Sequence, residues 1–119
     1  MDTLTRGKEA EDRACRYLQA RGLQLLQRNY HSRRGEIDLV LQDKDSLVFV
    51  EVRYRNDPRF GSAMESVNQR KQSRLIACAQ HYMQTHPDTS QQPCRFDVIS
   101  IMGPGALIEW IPNAFSATE

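Results

Sequence analysis

The stretch GEIDLVLQDKDSLVFVEVR, residues 35–53, decides the fold because it holds the most clearly patterned pair of strands in the chain. Apolar side chains alternate from Ile37 to Leu41, and residues 47–54 are rich in β-branched and aromatic types. The polar residues 43–46 between the two segments are typical of a turn. The stretch is therefore predicted to form a β-hairpin whose second strand is buried.

The geometry of this hairpin brings acidic side chains together. A turn centred in the polar segment places Asp38 directly opposite Glu51, and Glu36 opposite Arg53. All four side chains then project from one face, because side chains alternate between the faces of a strand. Directly opposed Cβ atoms lie about 5 Å apart. Two carboxylates at that separation can contact one hard cation, whose oxygen ligands lie at about 2.0–2.6 Å.

The position of Glu51 in an apolar strand has two explanations. An acidic side chain in a central strand is rarely buried without a partner. Glu51 either forms a plain ion pair with an arginine such as Arg53, or shares a bound cation with Asp38. The residues alone leave both explanations open.

Start and stop signals divide the rest of the chain into further elements. Gly22 ends a first helix, and Pro87 disfavours helical geometry at the residue before it. The further predicted elements are a helix over 4–21, a strand over 23–30, a helix from a capping box at 62–65 to His86, and strands over 94–102 and 106–111. The predicted fold class is α/β, in the order αβββαββ.

One charged residue interrupts the apolar stripe of each predicted helix. Glu11 does so in the first helix and Lys71 in the second. Such a charge is either a surface residue whose stem lies on apolar neighbours or part of a polar site. Together with Asp38 and Glu51, these residues are predicted to form one polar cluster where the helices meet the sheet.

Size and composition predict one ordinary globular domain. The chain has 119 residues and a mass of 13.7 kDa, with 39% apolar and 26% charged residues. We expect a single domain over 1–119, with an ordered core over about 5–112 and a loose tail over 113–119. Apolar runs such as residues 47–50 are far shorter than the roughly 20 residues that span a bilayer, so no membrane association is expected.

The cysteines and the N-terminal residues indicate the cellular compartment in which the protein is expected. Three cysteines without a close pair predict free thiols and a reducing environment. The first 13 residues are charged and have no apolar segment, so no secretory signal is expected. We therefore expect a cytoplasmic protein.

Basic residues concentrate in the middle of the chain. The net charge is only +1, but residues 28–74 hold 10 basic and 7 acidic side chains, whereas residues 75–119 hold 1 and 4. Arginine is suited to phosphate and carboxylate because its planar guanidinium forms paired hydrogen bonds. An anionic partner is therefore expected to contact the middle of the chain.

The motifs at the hairpin resemble those of a known group of enzymes. GEID at 35–38 followed by FVEVR at 49–53 resembles the acidic signature of the PD-(D/E)XK nuclease superfamily. More closely, the chain is similar to the YraN family of small bacterial proteins, which resemble Holliday-junction resolvases. The resemblance covers about residues 5–115, and its further matches are Gly7, Glu11, Ala14, Leu18, Arg28-Asn29, Phe60-Gly61, Lys71 and RFDV at 95–98.

This resemblance implies a restriction-endonuclease-like fold, a mixed central sheet flanked by helices. It further implies that Asp38 and Glu51 bind Mg²⁺ or Mn²⁺ and that Glu11 is another acidic member of the catalytic site. The superfamily motif ends in lysine, but Arg53 stands at that position here. Arginine stays protonated and cannot act as a general base, although it can stabilise charge on a phosphate. Lys71 is the candidate to replace the missing lysine.

The resemblance and the charge pattern together predict metal-dependent hydrolysis of DNA phosphodiester bonds. No base-reading module is recognisable, so we expect selectivity for branched or flapped DNA structures rather than for sequence. The segments 30–34 and 54–61 are predicted to be loops that flank the site. The arginines expected to contact the DNA backbone are Arg33, Arg34, Arg55, Arg59, Arg70 and Arg74.

The sequence leaves two other functions open and leads us to expect a dimer. The chain could bind nucleic acid without turnover, as Arg53 favours, or it could be a scaffold without a nucleic-acid partner, as the modest net charge favours. A homodimer, or a dimer formed on DNA, is expected if the protein cuts two strands about a two-fold axis. The apolar last strand would lie at a sheet edge or under the tail, and an edge that apolar usually needs covering.

Overall fold

In the part of the chain that the structure describes, a five-stranded sheet carries one α-helix on each face. The computed structural model describes residues 3–55, 67–102 and 107–116, without the side chains of residues 3–6 and 55. The elements are α1 Thr3–Ala20, β1 Gln24–Ser32, β2 Gly35–Asp43, β3 Ser46–Arg55, α2 Gln69–Thr85, a short 3-10 helix Pro87–Thr89, β4 Cys94–Met102 and β5 Leu107–Phe115. This α/β order, αβββαββ, confirms the prediction and is compatible with a restriction-endonuclease-like fold.

The sheet is mixed, and its strands follow the chain order β1-β2-β3-β4-β5. Strands β3 and β4 are parallel and are joined through α2, whereas every other neighbouring pair is antiparallel. In the central hairpin Leu39 pairs with Val50 and Asp43 pairs with Ser46. This is the predicted register, and it is set by the two-residue turn between β2 and β3.

Alternating side chains divide the core into two layers. Val48 and Val50 of β3 pack with Leu18 of α1, whereas Leu47 and Phe49 lie in the cluster on the α2 side. Because successive residues of β3 contribute to different layers, the strand is apolar on both faces, as its near-continuous apolar run indicates. The buried residues of α2 are Leu75, Cys78, Ala79 and Tyr82.

Helix α2 has a different start from the one predicted. It begins at Gln69 after an N-cap at Asn68, whose backbone is extended and whose side chain accepts the Lys71 N–H at 3.0 Å. The predicted capping box at 62–65 lies outside the described residues. A helix running without interruption from that box to His86 is wrong, because Asn68 satisfies the first free N–H groups of a new helix.

Strand β5 continues beyond its predicted end. The prediction stopped at Ile111 and placed a loose tail after Pro112, but β5 runs to Phe115. Proline is tolerated here because β5 is an edge strand, as expected, and a proline without an N–H disturbs only a central strand. The ring of Phe115 stacks on Phe96 at 5.0 Å, which holds the end of the strand on the sheet.

The first predicted loop is also shorter than expected. Strand β1 extends to Ser32, and β2 begins at Gly35, so only residues 33 and 34 form the turn. The predicted loop over 30–34 is therefore a tight hairpin. Most of the other predicted loop, 54–61, lies outside the described residues, although Tyr54 belongs to β3.

A buried carboxylate joins β4 to the edge strand. Asp97 is 1% exposed and accepts hydrogen bonds from the Trp110 indole at 3.0 Å and the Asn113 backbone N–H at 2.8 Å. Arg95 pairs with Asp97 at 3.1 Å and with Asp43 at 2.9 Å. This network was not predicted, and it lies where the register of β4 and β5 shifts between Phe96 and Val98.

The cysteines agree with the prediction of free thiols. Cys15 and Cys78 are buried, Cys94 is exposed, and none is in a disulfide. Across the described ranges, neither helix has the length and apolar character needed to cross a membrane.

Candidate functional site

Asp38 lies just beyond Leu39–Val50, the last residue pair of the ladder between β2 and β3. Its Oδ2 accepts the backbone N–H of Val52 at 2.8 Å. A strand side chain thus takes a backbone donor of the neighbouring strand, which fixes the carboxylate between β2 and β3. The position follows from the register, because Asp38 is the residue next to the Leu39–Val50 pair.

The carboxyl group of Asp38 is strongly perturbed. Burial, followed by the hydrogen bond and the charge of Glu51, raises its pKa from 3.8 to about 9, although the Val52 N–H acts in the opposite direction. A neighbouring negative charge and loss of water both disfavour the ionised form of a carboxyl group. The raised pKa therefore favours the protonated form of Asp38 at neutral pH when no cation is bound.

Glu51 forms ion pairs with two cations of the chain. Its side chain is 6% exposed, and its Oε2 lies 2.8 Å from Lys71 Nζ and 3.7 Å from Arg53 Nη1. The expected ion pair with Arg53 is present, but the nearer partner of this buried glutamate is Lys71 and not an arginine. Lys71 comes from the first turn of α2, so its stem interrupts the apolar stripe in order to contact β3.

Three carboxylates, one of them Asp38, converge from two elements, α1 and β2. Glu11 of α1, Glu36 of β2 and Asp38 each offer an oxygen, and these oxygens lie within 4.8 Å of one another. Glu36 was predicted only to lie opposite Arg53, and its place in this cluster was missed. Its position two residues from Asp38 on the same strand face was the signal that could have found it.

Two residues of β1 hold this acidic cluster. The Asn29 Nδ2 donates to Glu11 Oε1 at 3.0 Å and to Glu36 Oε1 at 3.1 Å. Arg28 lies 3.4 Å from Glu11 and 2.7 Å from Asp12, so it ties β1 to helix α1. Both residues carried part of the resemblance described above, but no role was predicted for either of them.

Glu36, Asp38 and Glu51 line a cleft between β2 and α2. Its volume is about 230 Å³, and acidic groups of the sheet face basic groups of the helix across it. The cleft is lined by Gly35, Glu36, Asp38, Glu51, Lys71, Arg74 and Leu75. It has the charges to hold a cation on one side and an anion on the other.

The structure brings together the four residues of the predicted polar cluster, Glu11, Asp38, Glu51 and Lys71, with Arg53 beside them. Of the arginines expected to contact DNA, Arg74 lines the cleft and Arg70 is exposed on the same helix. Arg33 and Arg34 are exposed in the β1–β2 turn. The side chain of Arg55 and the whole of Arg59 lie outside the described residues.

Fold and site define a small α/β protein whose mixed sheet carries a carboxylate-rich cleft faced by lysine and arginine. The family model described as "Uncharacterised protein family UPF0102" matches residues 10–101. A UPF0102 protein of Nitrosococcus oceani is 54% identical over 112 residues, 92% of this chain and 90% of the relative. Others from Alcanivorax borkumensis and Pseudomonas putida are 49% and 47% identical, each over 92% of this chain and 90% or 91% of their own. The chain belongs to the UPF0102 family.

Proposed function

We propose that this protein is a metal-dependent endonuclease of the PD-(D/E)XK type, similar to the YraN family, that acts on DNA phosphodiester bonds. The observation that carries the proposal is the approach of the Glu11, Glu36 and Asp38 oxygens to within 4.8 Å of one another. Asp38 also interacts with the buried Glu51, so the acidic set extends from α1 across β2 to β3.

The donor set fits Mg²⁺ or Mn²⁺. Hard divalent cations bind carboxylate oxygens, and the site offers oxygens without a soft ligand. The raised pKa of Asp38 supports the fit, since a bound cation would take the place of the proton on that carboxyl group. In this proposal Asp38 and Glu51 are metal ligands, with Glu11 as a further acidic member of the catalytic site.

The chain's own cations would act on the phosphate. A bound divalent ion supplies polarisation of the phosphate and a water of lowered pKa. Lys71 and Arg53, both beside Glu51, offset the negative charge that develops on the phosphate oxygens. An arginine does not serve as a general base, so the contribution of Arg53 is electrostatic.

The exposed arginines of the β1–β2 turn and of α2 extend this electrostatic surface. In this proposal a set of arginines contacts the phosphates of the DNA backbone: Arg33, Arg34, Arg55, Arg59, Arg70 and Arg74. Contacts of this kind fix the position of a duplex and carry no sequence information. The proposed substrate is therefore a branched or flapped DNA recognised by its shape, in the cytoplasm.

We also propose a homodimer, or a dimer formed on DNA, as the active assembly. The β5 edge is open within the described strands, and its first residue, Leu107, is 70% exposed. A second chain on this edge would place two clefts about a two-fold axis. Light scattering with and without junction DNA tests the dimer, and one chain per particle in both conditions would contradict it.

A DNA-binding protein without turnover is the second candidate. The observation that favours it is the pairing of Glu51 with both Lys71 and Arg53, which neutralises a proposed metal ligand. In this alternative the same cleft would hold a DNA phosphate against Lys71 and Arg74, and no bond would be cut.

Cleavage of flap, junction and duplex DNA in Mn²⁺ or Mg²⁺ tests the proposal. Wild-type protein should cut, and Asp38→Asn and Glu51→Gln should not. Asp45→Asn removes a carboxylate from the exposed β2–β3 turn and is the matched control, which should cut like wild type. Binding without cutting in either metal would support the second candidate. Absence of both binding and cutting would contradict both and leave a scaffold function.

A further inference from the structure

Asn29 has an unusual backbone for a strand residue. Its φ is 52°, in the left-handed region, although it lies inside β1 between the Arg28–Leu39 and Tyr30–Ile37 pairs. Asparagine tolerates this region better than most residues with a side chain. A register shift between Leu25 and Gln27 precedes it. Irregularities of this kind change the direction of a side chain near functional sites.

The side chain of Asn29 contacts two like charges. One amide nitrogen donates to the Glu11 carboxylate at 3.0 Å and to the Glu36 carboxylate at 3.1 Å, which uses both of its hydrogens. Glu11 and Glu36 come from different elements, and each offers a carboxylate oxygen within 4.8 Å of an oxygen of Asp38. Arg28 also donates to Glu11 Oε1 at 3.4 Å, but the Asn29 amide contacts both carboxylates and so offsets the repulsion between them.

We propose that Asn29 is a positioning residue, whose amide holds Glu11 and Glu36 side by side next to Asp38 in the arrangement that accepts a divalent cation. The inference rests on the metal site proposed above. Asn29 contacts two of the carboxylates through hydrogens that cannot bind the cation, so it acts through those side chains. Loss of such a partner typically lowers metal affinity about 10- to 100-fold.

Glycine is the informative substitution at this position. Glycine adopts a positive φ readily, so Asn29→Gly keeps the backbone conformation and removes only the amide. The chain provides a matched control in Asn113, which also has a φ of 52° in an edge strand. Its backbone N–H, which donates to Asp97, is retained in Asn113→Gly.

Calorimetric titration with Mn²⁺ tests the inference, with thermal unfolding measured alongside. Asn29→Gly should bind Mn²⁺ about 10- to 100-fold more weakly than wild type, while Asn113→Gly binds like wild type. A second readout is the side-chain amide NMR signal of Asn29, which should shift on addition of Mg²⁺ while that of Asn113 does not.

The outcomes separate the two proposals. Equal Mn²⁺ affinity in wild type and Asn29→Gly would overturn the positioning role and leave the metal site intact. Equal weakening in both glycine variants would also overturn it, because the loss would then come from a general change in the strands. No Mn²⁺ binding by the wild type would overturn the metal site itself, and the positioning role with it.

Discussion

Lys71 Nζ lies 2.8 Å from Glu51 Oε2, so a cation of the chain already contacts a carboxylate that is proposed to bind a metal. A lysine in this position competes with a metal ion for the glutamate and also contributes positive charge toward a phosphate. The two effects have opposite signs, and substitution of Lys71 separates them.

Lys71→Met should therefore strengthen Mn²⁺ binding and weaken DNA binding. The Lys71 side chain is 39% exposed, so its ion pair is worth about 1 kcal/mol or less, and the gain in Mn²⁺ affinity should be at most about fivefold. Calorimetry gives the metal affinity, and fluorescence anisotropy gives the DNA affinity. Lys8→Met, at an exposed position of α1, is the control. Weaker Mn²⁺ binding by Lys71→Met would mean that Lys71 supports the site instead of competing for it.

The protonation of Asp38 predicts a pH-dependent stability. The unfolded carboxyl loses its proton near pH 4, whereas the folded group retains it until about pH 9. Between these values the folded state binds more protons, so the free energy of unfolding falls as the pH rises, by up to about 1.4 kcal/mol per pH unit. Asp38→Asn removes this dependence, and its stability advantage should grow from pH 5 to pH 8.

Urea unfolding of both proteins at several pH values measures this effect. The variant keeps an oxygen that can accept the Val52 N–H, so the comparison isolates the charge. Saturating Mg²⁺ should restore wild-type stability at pH 8 and leave Asp38→Asn unchanged. Parallel pH profiles for the two proteins would show that Asp38 is ionised in the folded state.

DNA binding should be electrostatic and insensitive to sequence. Log affinity should fall with log salt concentration, by about 0.9 for each phosphate neutralised. Charge reversal at Arg33 and Arg70, on the turn and the helix beside the cleft, should weaken binding to all sequences and reduce this slope, as should reversal at Arg55 and Arg59. Arg16→Glu, on α1, serves as the control. A salt-independent affinity would rule out the proposed contacts.

The Asp97 network should stabilise the fold without affecting the cleft. Asp97→Asn leaves Arg95 without its buried partner and should lower the free energy of unfolding by about 3 kcal/mol. Mn²⁺ affinity should be unchanged, because Asp97 is held by β4 and β5 residues outside the cleft. Asp88→Asn, at an exposed site, should have no effect on either quantity. A change in Mn²⁺ affinity would reveal coupling between the two clusters.

The central hairpin shows what local sequence can determine. A short polar turn between two strongly patterned strands admits one register that keeps the apolar residues inside, so the proximity of Asp38 and Glu51 was predictable. Glu11 and Lys71, the charges that interrupt the apolar stripes of the helices, were also informative, because a charge on a buried face needs a partner.

Other features depend on contacts distant in sequence. The left-handed backbone of Asn29 is favoured by Glu11 and Glu36, which lie on other elements. The extension of β5 beyond Pro112 depends on the stacking of Phe115 on Phe96. The start of α2 was missed because two capping signals, at 62–65 and at Asn68, compete, and propensity alone does not choose between them.

The strand order has a consequence for the order of folding. Strands β1, β2 and β3 form a meander of consecutive hairpins, whereas β4 joins β3 only through contacts such as Leu47 with Cys94, 47 residues apart. Local pairing closes small loops and forms fast, whereas the parallel pairing must close a large one. We therefore expect Asn29, Glu36, Asp38 and Glu51 to come together in the early meander, before Lys71 docks with α2. During that interval β3 presents its apolar run Val48–Phe49–Val50 as an unpaired edge, which makes late docking of β4 the step most exposed to aggregation.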